Sequence, residues 1–438
     1  MPMPCERLPD GRLPARPISD RLLPDRLRPG RFVLGVLLLG ALALSGCKVN
    51  EAAPEHERAA PPPRAEVRWD QLDPIQRCIY QRAPEGSQWT FPVIQALCED
   101  GFWPALTAAD LKRMIDAKDW KALEALYGNH LKRHLAREEP EYLLYRALEP
   151  IGWESGAEAE RYLRLWVSAR PEDPFARAAR GAHLLTAARE ARGDGHREKL
   201  SGTRIALVNG KARQANTQLR RAVALRPDLI PAYALLIESY ALGGDAASVD
   251  LALGTALKQA PWSYYVPARA LDYGNEGRGV SAKRLGMVLP HSRQYARENP
   301  RMALMEAYQA FHDGERQYNF GSYKRAMLTL QSATATAPLR IALLRTARCA
   351  GRLERYGDAM AYYDQLVRFG VAPGEALVGR GLAWEHLGDP RKALSDYKAA
   401  QLYLPDHEEL RARVVLLEKS FRPAKAGARP GSAKQGGA

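Results

Sequence analysis

Nucleophilic and metal-ligand chemistry in this 438-residue chain has to come from five cysteines and nine histidines, and their spacing limits what that chemistry can be. Cys78 and Cys98 lie in a short segment, 69–105, that also holds Trp69, Trp89, Trp103 and several prolines. So small a segment has little core of its own, and a cross-link between the two thiols would make it a stapled head. Cys349 falls in a run of helical periodicity and is expected to behave as a small buried apolar residue. No Cys-x-x-Cys pair occurs, which removes the usual frame for structural zinc or a thioredoxin-like dithiol. His130 and His134 are spaced i and i+4, which puts two imidazoles on one helix face. The glutamate of a metalloprotease motif is missing, and Lys132 and Arg133 stand between them, so two solvent-exposed histidines are expected rather than a metal site. The run GNEGRG at 274–279 lacks the Gly-Lys-Ser/Thr ending of a phosphate loop and reads as a connection. No Gly-x-Ser-x-Gly elbow is present, and no set of Ser, Cys or paired carboxylates stands out. The expectation is a protein that is not an enzyme, with no cofactor, no metal and no small-molecule substrate.

Which residues survive into the mature protein depends on the N-terminal segment. Residues 32–44, FVLGVLLLGALAL, form an uncharged apolar run with arginines at 21, 26, 28 and 31 before it and Ser45, Gly46 and Cys47 after it. The run is too short to span a bilayer and is closed by small residues, as in a signal peptide. Leu44-Ser45-Gly46-Cys47 resembles the lipobox of bacterial lipoproteins, although the thirty or so residues before the apolar run, rich in Pro and Arg, are long for such a segment. The resemblance implies cleavage after residue 46, acylation of the Cys47 thiol and membrane attachment through two or more chains. Lys48 stands where an aspartate would imply retention at the inner membrane, which points to the periplasmic face of the outer membrane. Cys5 would be lost with the signal, and an oxidising compartment makes Cys78 and Cys98 disulfide partners.

The formal net charge is +14, of which residues 1–46 carry +3. Secretion argues against nucleic acid as the partner of so basic a chain. Arginine is spread along the whole length without a dense run, which fits solvated helix faces better than one anionic ligand. Ala, Leu, Arg and Glu predominate, so helix is the expected structure. Six segments follow: a signal peptide at 1–46, a lipidated, proline-rich linker at 47–68, the head at 69–106, helical domains at 107–298 and 299–421, and a basic tail at 422–438.

A repeat of period 34 runs through the helical part. From Gly374, the residues Gly381, Trp384, Gly388, Ala393, Tyr397, Ala400 and Pro405 fall at positions 8, 11, 15, 20, 24, 27 and 32. Small residues let paired helices approach, aromatics fill the space between them, and the proline stops the second helix. Gly388 suits a left-handed cap, Asp389 an N-cap and Pro390 a helix start. The same frame holds Ala347, Leu353, Ala359 and Tyr363 one repeat earlier. Gly314, Gly321, Ala326, Leu330, Ala333 and Pro338 occupy it before that, and Tyr233, Tyr240, Gly244, Leu253, Ala256 and Pro261 in a separate copy.

This pattern resembles the tetratricopeptide repeat, which implies an all-α solenoid of antiparallel helix pairs with three C-terminal repeats, a capping helix and a stapled head. Residues 109–298 also resemble an uncharacterised bacterial helical domain family of unknown function, through Trp166, the run ARPEDPFARAARG and the region ALKQAPWSYY. In tetratricopeptide repeats the concave face is lined by positions 2, 5, 9, 12 and 13 of the first helix. That implies a partner-binding groove of Tyr308, Phe311, Glu315 and Tyr318, then Arg348 and Arg352, then Glu385 and His386. The family's clamp for chaperone tails is not supplied, because Leu344, Arg348, Val378 and Leu382 stand where Lys and Asn are needed. The expected function is a membrane-anchored scaffold for envelope proteins or peptides. The competing reading is an enzyme or accessory factor acting on cell-wall polymer through residues 69–298.

Overall fold

The computed structural model describes residues 69–102, 106–149, 156–193, 200–273, 281–370, 373–404 and 407–421. The signal segment, Cys47, the linker, the 274–279 run, Pro405 and the basic tail lie outside the described residues. Among the described residues the elements are nineteen α-helices and two 3-10 helices, without a strand. The head contributes α1 (Pro74–Tyr80) and α2 (Phe91–Phe102), and next come α3 (Ala108–Asp116), α4 (Trp120–Ala136) and α5 (Tyr142–Leu148). The stack proceeds as α6 (Ala157–Ala169), α7 (Pro174–Arg192), α8 (Gly202–Leu225), α9 (Ile230–Gly243), α10 (Ala246–Gln259), α11 (Tyr265–Asp272) and α12 (Ala282–Tyr295). A 3-10 helix, Pro300–Ala307, leads into α13 (Tyr308–Asn319), α14 (Tyr323–Thr336), α15 (Arg340–Arg352) and α16 (Tyr356–Arg368). The last elements are α17 (Pro373–His386), α18 (Pro390–Gln401) and α19 (Glu408–Ser420).

Local chemistry sets these boundaries. Thr107 and Asp110 form a reciprocal capping box that starts α3. At the α17–α18 turn Gly388 takes φ +82°, Asp389 accepts from the Lys392 amide at 3.1 Å, and Pro390 is the first helical residue. The run 169–181 owes its pattern to one cap: Asp173 accepts from the Phe175 amide at 2.8 Å and from the buried Trp166 indole at 3.1 Å. Small repeat positions are small for a steric reason. A Cβ on Gly314 would lie 2.7 Å from Leu330, and one on Gly381 would lie 2.5 Å from the Tyr397 ring.

Antiparallel pairs α7–α8, α9–α10, α13–α14, α15–α16 and α17–α18 stack in order, each second helix also packing on the next first helix where α8, α14 and α16 meet α9, α15 and α17. First helices touch their successors, α7 with α9, α9 with α11, α13 with α15 and α15 with α17, whereas successive second helices make no comparable contact. The stack therefore curves with its first helices inside. One apolar core runs without a break from Ile230 to Ala376, across residue 298, so the two helical regions share an interior. A second core fills α3 to α7 around Trp166 and Tyr127, a third lies between α7, α8 and α9, and a fourth seats α19 on α17 and α18.

The head folds back on the C-terminal repeats. Cys78 and Cys98 are joined in a disulfide with Cα atoms 5.7 Å apart, and both pack against Phe369. Arg368, buried at the end of α16, donates to the carbonyls of Cys78 at 2.6 Å and Ile79 at 3.2 Å, satisfying the last turn of α1. Trp89 donates to the Thr334 carbonyl at 2.7 Å, and the Gln88 amide to Ala335 at 2.8 Å. Asp100 on α2 takes two hydrogen bonds from Arg301, at 2.8 and 2.6 Å.

Candidate functional site

The inner face is built by polar residues that link each first helix to the next. Glu238 lies at 0% exposure in the middle of apolar α9, where only charged neighbours can compensate its burial. Arg189 of α7 reaches it at 2.5 Å and Arg269 of α11 at 3.2 Å, and Arg269 also faces Glu149 at 3.9 Å. Burial works against the Arg269 charge, but Glu238 and its other neighbours outweigh it and hold the guanidinium above its ordinary range. Asp272 ends α11 and accepts from the Tyr308 hydroxyl of α13 at 2.8 Å. Onward, Glu315 of α13 pairs with Arg345 of α15 at 2.8 Å, Arg348 of α15 with Glu375 of α17, and Glu385 of α17 with Arg413 of α19 at 2.8 Å. Away from that face, Arg380 of α17 reaches the second helices on either side, gripping Asp396 of α18 and Asp364 of α16, both at 2.7 Å.

Between α11 and α15 this ladder opens to solvent. Asp272 is exposed, yet the protein around it pushes its carboxyl above the ordinary range, opposed by the Tyr308 hydrogen bond and the charges of Arg269 and Arg340. Half-buried Tyr264 stands at the other end of α11, its hydroxyl pushed up by its surroundings and next by Asp272. Half-buried Tyr273 and exposed Arg340 complete the patch. It offers one carboxylate, one guanidinium and phenolic hydroxyls, a set suited to hydrogen-bonding a peptide.

The residues expected to line the groove divide. Tyr308, Phe311 and Tyr318 are 1%, 4% and 3% exposed, so they belong to the core and not to an open groove. The cause is packing: these rings fill the space where α13 meets α11 and α14, Tyr308 through its bond to Asp272 and Tyr318 through an edge contact with Tyr323 at 5.1 Å. Glu315, Arg348 and Glu385 do sit on first helices, but in the inter-helix ion pairs above. Arg352 ends α15 partly buried, and exposed His386 stacks on Tyr356 with ring centroids 4.0 Å apart. Two further expectations meet the structure differently. Cys349 is fully buried, its thiol pushed up to about 11 by burial. His134, expected in solvent, is 1% exposed against Trp262 and Tyr145, and burial lowers its imidazole to about 4. Its sequence neighbours Lys132 and Arg133 are charged because they occupy other faces of α4.

Sequence reasoning missed Glu238, Arg269, Asp272, Tyr264 and Arg340. One signal was available: Glu238 is the single charged residue in IPAYALLIESYALG. It also missed Glu141, buried where it accepts from the Ser263 hydroxyl at 2.5 Å, the Tyr264 amide at 2.9 Å and Asn299 at 3.0 Å. That cluster ties α5 to α11 and to the 3-10 helix, and it is closed to solvent.

Residues 107–253 match a family described as a domain of unknown function, DUF4034, which ends short of the expected boundary at 298. No curated protein matches the chain. Among solved structures, it is similar to PilW, described as a widely conserved type IV pilus biogenesis factor, at 19% identity over 47% of this chain and 91% of that one, TM-score 0.28. A tetratricopeptide repeat protein from Parabacteroides merdae is 14% identical over 66% and 99%, TM-score 0.28. The tetratricopeptide domain of P58(IPK) is 13% identical over 71% and 98%, TM-score 0.26.

Proposed function

We propose that the protein is a binding scaffold for envelope proteins or peptides, tethered to a membrane through Cys47. The observation that carries the binding half is the solvent-open patch of Tyr264, Asp272, Tyr273 and Arg340 on the inside of a curved stack of helical pairs. Elsewhere on that face the charges are held by one another, so an extended ligand would meet its directional contacts here. The anchoring half is supported by the apolar run at 32–44 and the sequence Leu44-Ser45-Gly46-Cys47. Two experiments address the halves separately. A photo-crosslinking residue in place of Arg340 should capture a partner in cells, while one in place of Leu328, 70% exposed on second helix α14, should not. Equal capture at both positions, or none at 340, defeats the groove reading. Metabolic labelling should place fatty acid on the wild-type chain and not on Cys47→Ala; absence of label on the wild type defeats the anchor.

A further inference from the structure

The last helix of the stack departs from the rule for a terminal cap, whose outer face is ordinarily polar. Leu410, Val414 and Leu417 seat α19 in the core it shares with α17 and α18. On one flank Arg413 donates to Glu385 of α17 at 2.8 Å, and on the other Glu418 pairs with Lys398 of α18 at 2.7 Å. Held on both flanks, the helix cannot turn about its axis, so its outer face is fixed. At about 100° per residue, Glu408, Ala412, Val415 and Lys419 fall within roughly 60° of one another, opposite the buried stripe. All four are exposed, Val415 by 47%, and Leu416 beside them is 49% exposed. Their spacing of four, three and four residues is that of the seam between two paired helices. Among the described residues no cation pairs with Glu408 and no carboxylate with Lys419.

We propose that α19 pairs with α19 of a second copy of this chain, antiparallel about a two-fold axis. An axis passing between residues 413 and 414 sets Glu408 of each copy against Lys419 of the other, and Ala412 of each against Val415 of the other. In the same register Arg411 lies across from Leu416, its aliphatic stem able to cover the apolar side chain while the charge stays in water. The face complements itself in charge and in apolar contact, as a two-fold interface must. This end of the molecule also suits contact between like chains. Residues 373–421 hold eight Asp and Glu against seven Lys and Arg, nearly neutral in a chain of net charge +14. The chain's own residues 422–438 contain no Val, Leu, Ile, Met or aromatic residue with which to fill the seam. A helix about 20 Å long buries less than the roughly 1,200 Å² of a standard complex, so the pair is weak and forms at about tens to hundreds of micromolar. Where the inner faces bind a partner as proposed above, such a pair is bivalent and gains avidity; that gain rests on the binding reading, and the pairing does not.

The test is sedimentation equilibrium, with no partner present, of a chain beginning at Lys48, which keeps the segments that build every described core, from Cys78 to Leu417. Its weight-average mass should rise from monomer toward dimer across that concentration range. Val415→Glu should hold the chain monomeric throughout with a nearly unchanged melting temperature, because the side chain it replaces is already half in solvent. Charge reversal reads the orientation. Glu408→Lys and Lys419→Glu should each weaken self-association about tenfold, since the axis repeats every ion pair and each pair turned into a like-charge contact shifts binding severalfold. An equimolar mixture of the two variants should associate about as well as the wild type, because both of its cross-chain contacts join opposite charges. That recovery separates pairing from any effect of either substitution on α19 itself, which mixing leaves unchanged. A wild type that stays monomeric overturns the proposal, as does dimerisation that survives Val415→Glu or a mixture that fails to recover. Dimerisation that appears only after residues 422–438 are removed assigns the face to the chain's own tail and also overturns it.

Discussion

Replacing Arg368 by Ala should detach the head from the repeats. Arg368 is 4% exposed and among the described residues no carboxylate pairs with it, and burial lowers its guanidinium to about 10. What holds it is three acceptors: the Cys78 carbonyl at 2.6 Å, the Ile79 carbonyl at 3.2 Å and the Gln365 side chain at 3.0 Å. Truncation leaves two carbonyls at the end of α1 without a partner, at about 1 to 3 kcal/mol for each that stays buried. Arg368 also covers the Phe369 ring, with its guanidinium 4.9 Å from the centroid. A total near 3 to 5 kcal/mol follows for the docked state. The same interface receives the Trp89 indole, whose ring lies 6.1 Å from Phe369. Hydrogen exchange over residues 74–102 and the near-ultraviolet signal of Trp89 therefore report the head apart from global unfolding. A double-mutant cycle with Cys78→Ser/Cys98→Ser, itself expected to cost about 3 kcal/mol for a loop of this length, should be strongly non-additive, because either change frees the same arm. Additive losses, or unchanged protection of residues 74–102 in Arg368→Ala, would show that the head is held elsewhere.

Acid should weaken the fold through His134. Its folded value, about 4, lies below the ordinary 6.5, so the unfolded chain binds the proton more tightly and stability falls as pH drops from about 7 toward 4. The loss approaches roughly 3 kcal/mol, and His134→Phe should flatten that part of a urea-midpoint profile. Glu238→Ala strands Arg189 and Arg269 and should cost about 3 to 5 kcal/mol in chemical denaturation, whereas Glu238→Gln, which still accepts hydrogen bonds, should cost less. Gly381→Ala pushes a methyl into the Tyr397 ring and should lower stability by about 1 to 3 kcal/mol, seen as early melting of the α17–α19 unit. Cys349, buried with a raised thiol, should resist alkylation in the native protein and react at once in denaturant.

The repeat was legible because its signals are local. Gly388-Asp389-Pro390 specifies cap, N-cap and first helical residue in three consecutive positions, and each adopts the geometry its chemistry favours. Cys78 and Cys98 were legible for a similar reason, as few alternatives exist when only three cysteines remain. The docking of the head was not, since Arg368 meets Cys78 across 290 positions of chain and nothing in FPVIQALCED marks its target. Nor was the length of α7 and α8 legible, because a frame of 34 residues describes pairs of ordinary helices and hides a longer hairpin within it.

Tyr308, Phe311 and Tyr318 show why a positional rule mislaid the groove. The rule assigns sides of a helix by position, but a helix in a stack has three neighbours, and bulky rings go where the gap is widest. On α13 that gap faces α11 and α14, so the rings were drawn inward, Tyr308 keeping only its hydroxyl on the ladder, while the charged residue among the four, Glu315, pairs with the next first helix. The groups left open to solvent come instead from α11 and the first turn of α15, where an eight-residue helix is too short to bury both of its ends. Asp272 is accessible for that reason. It is also held in place by the Tyr308 hydroxyl, so the residue misassigned to the groove acts on it from beneath. Tyr308→Phe should accordingly leave the fold intact while loosening Asp272 and weakening any ligand that uses it. Unchanged partner crosslinking at position 340 in that variant would separate Asp272 from binding.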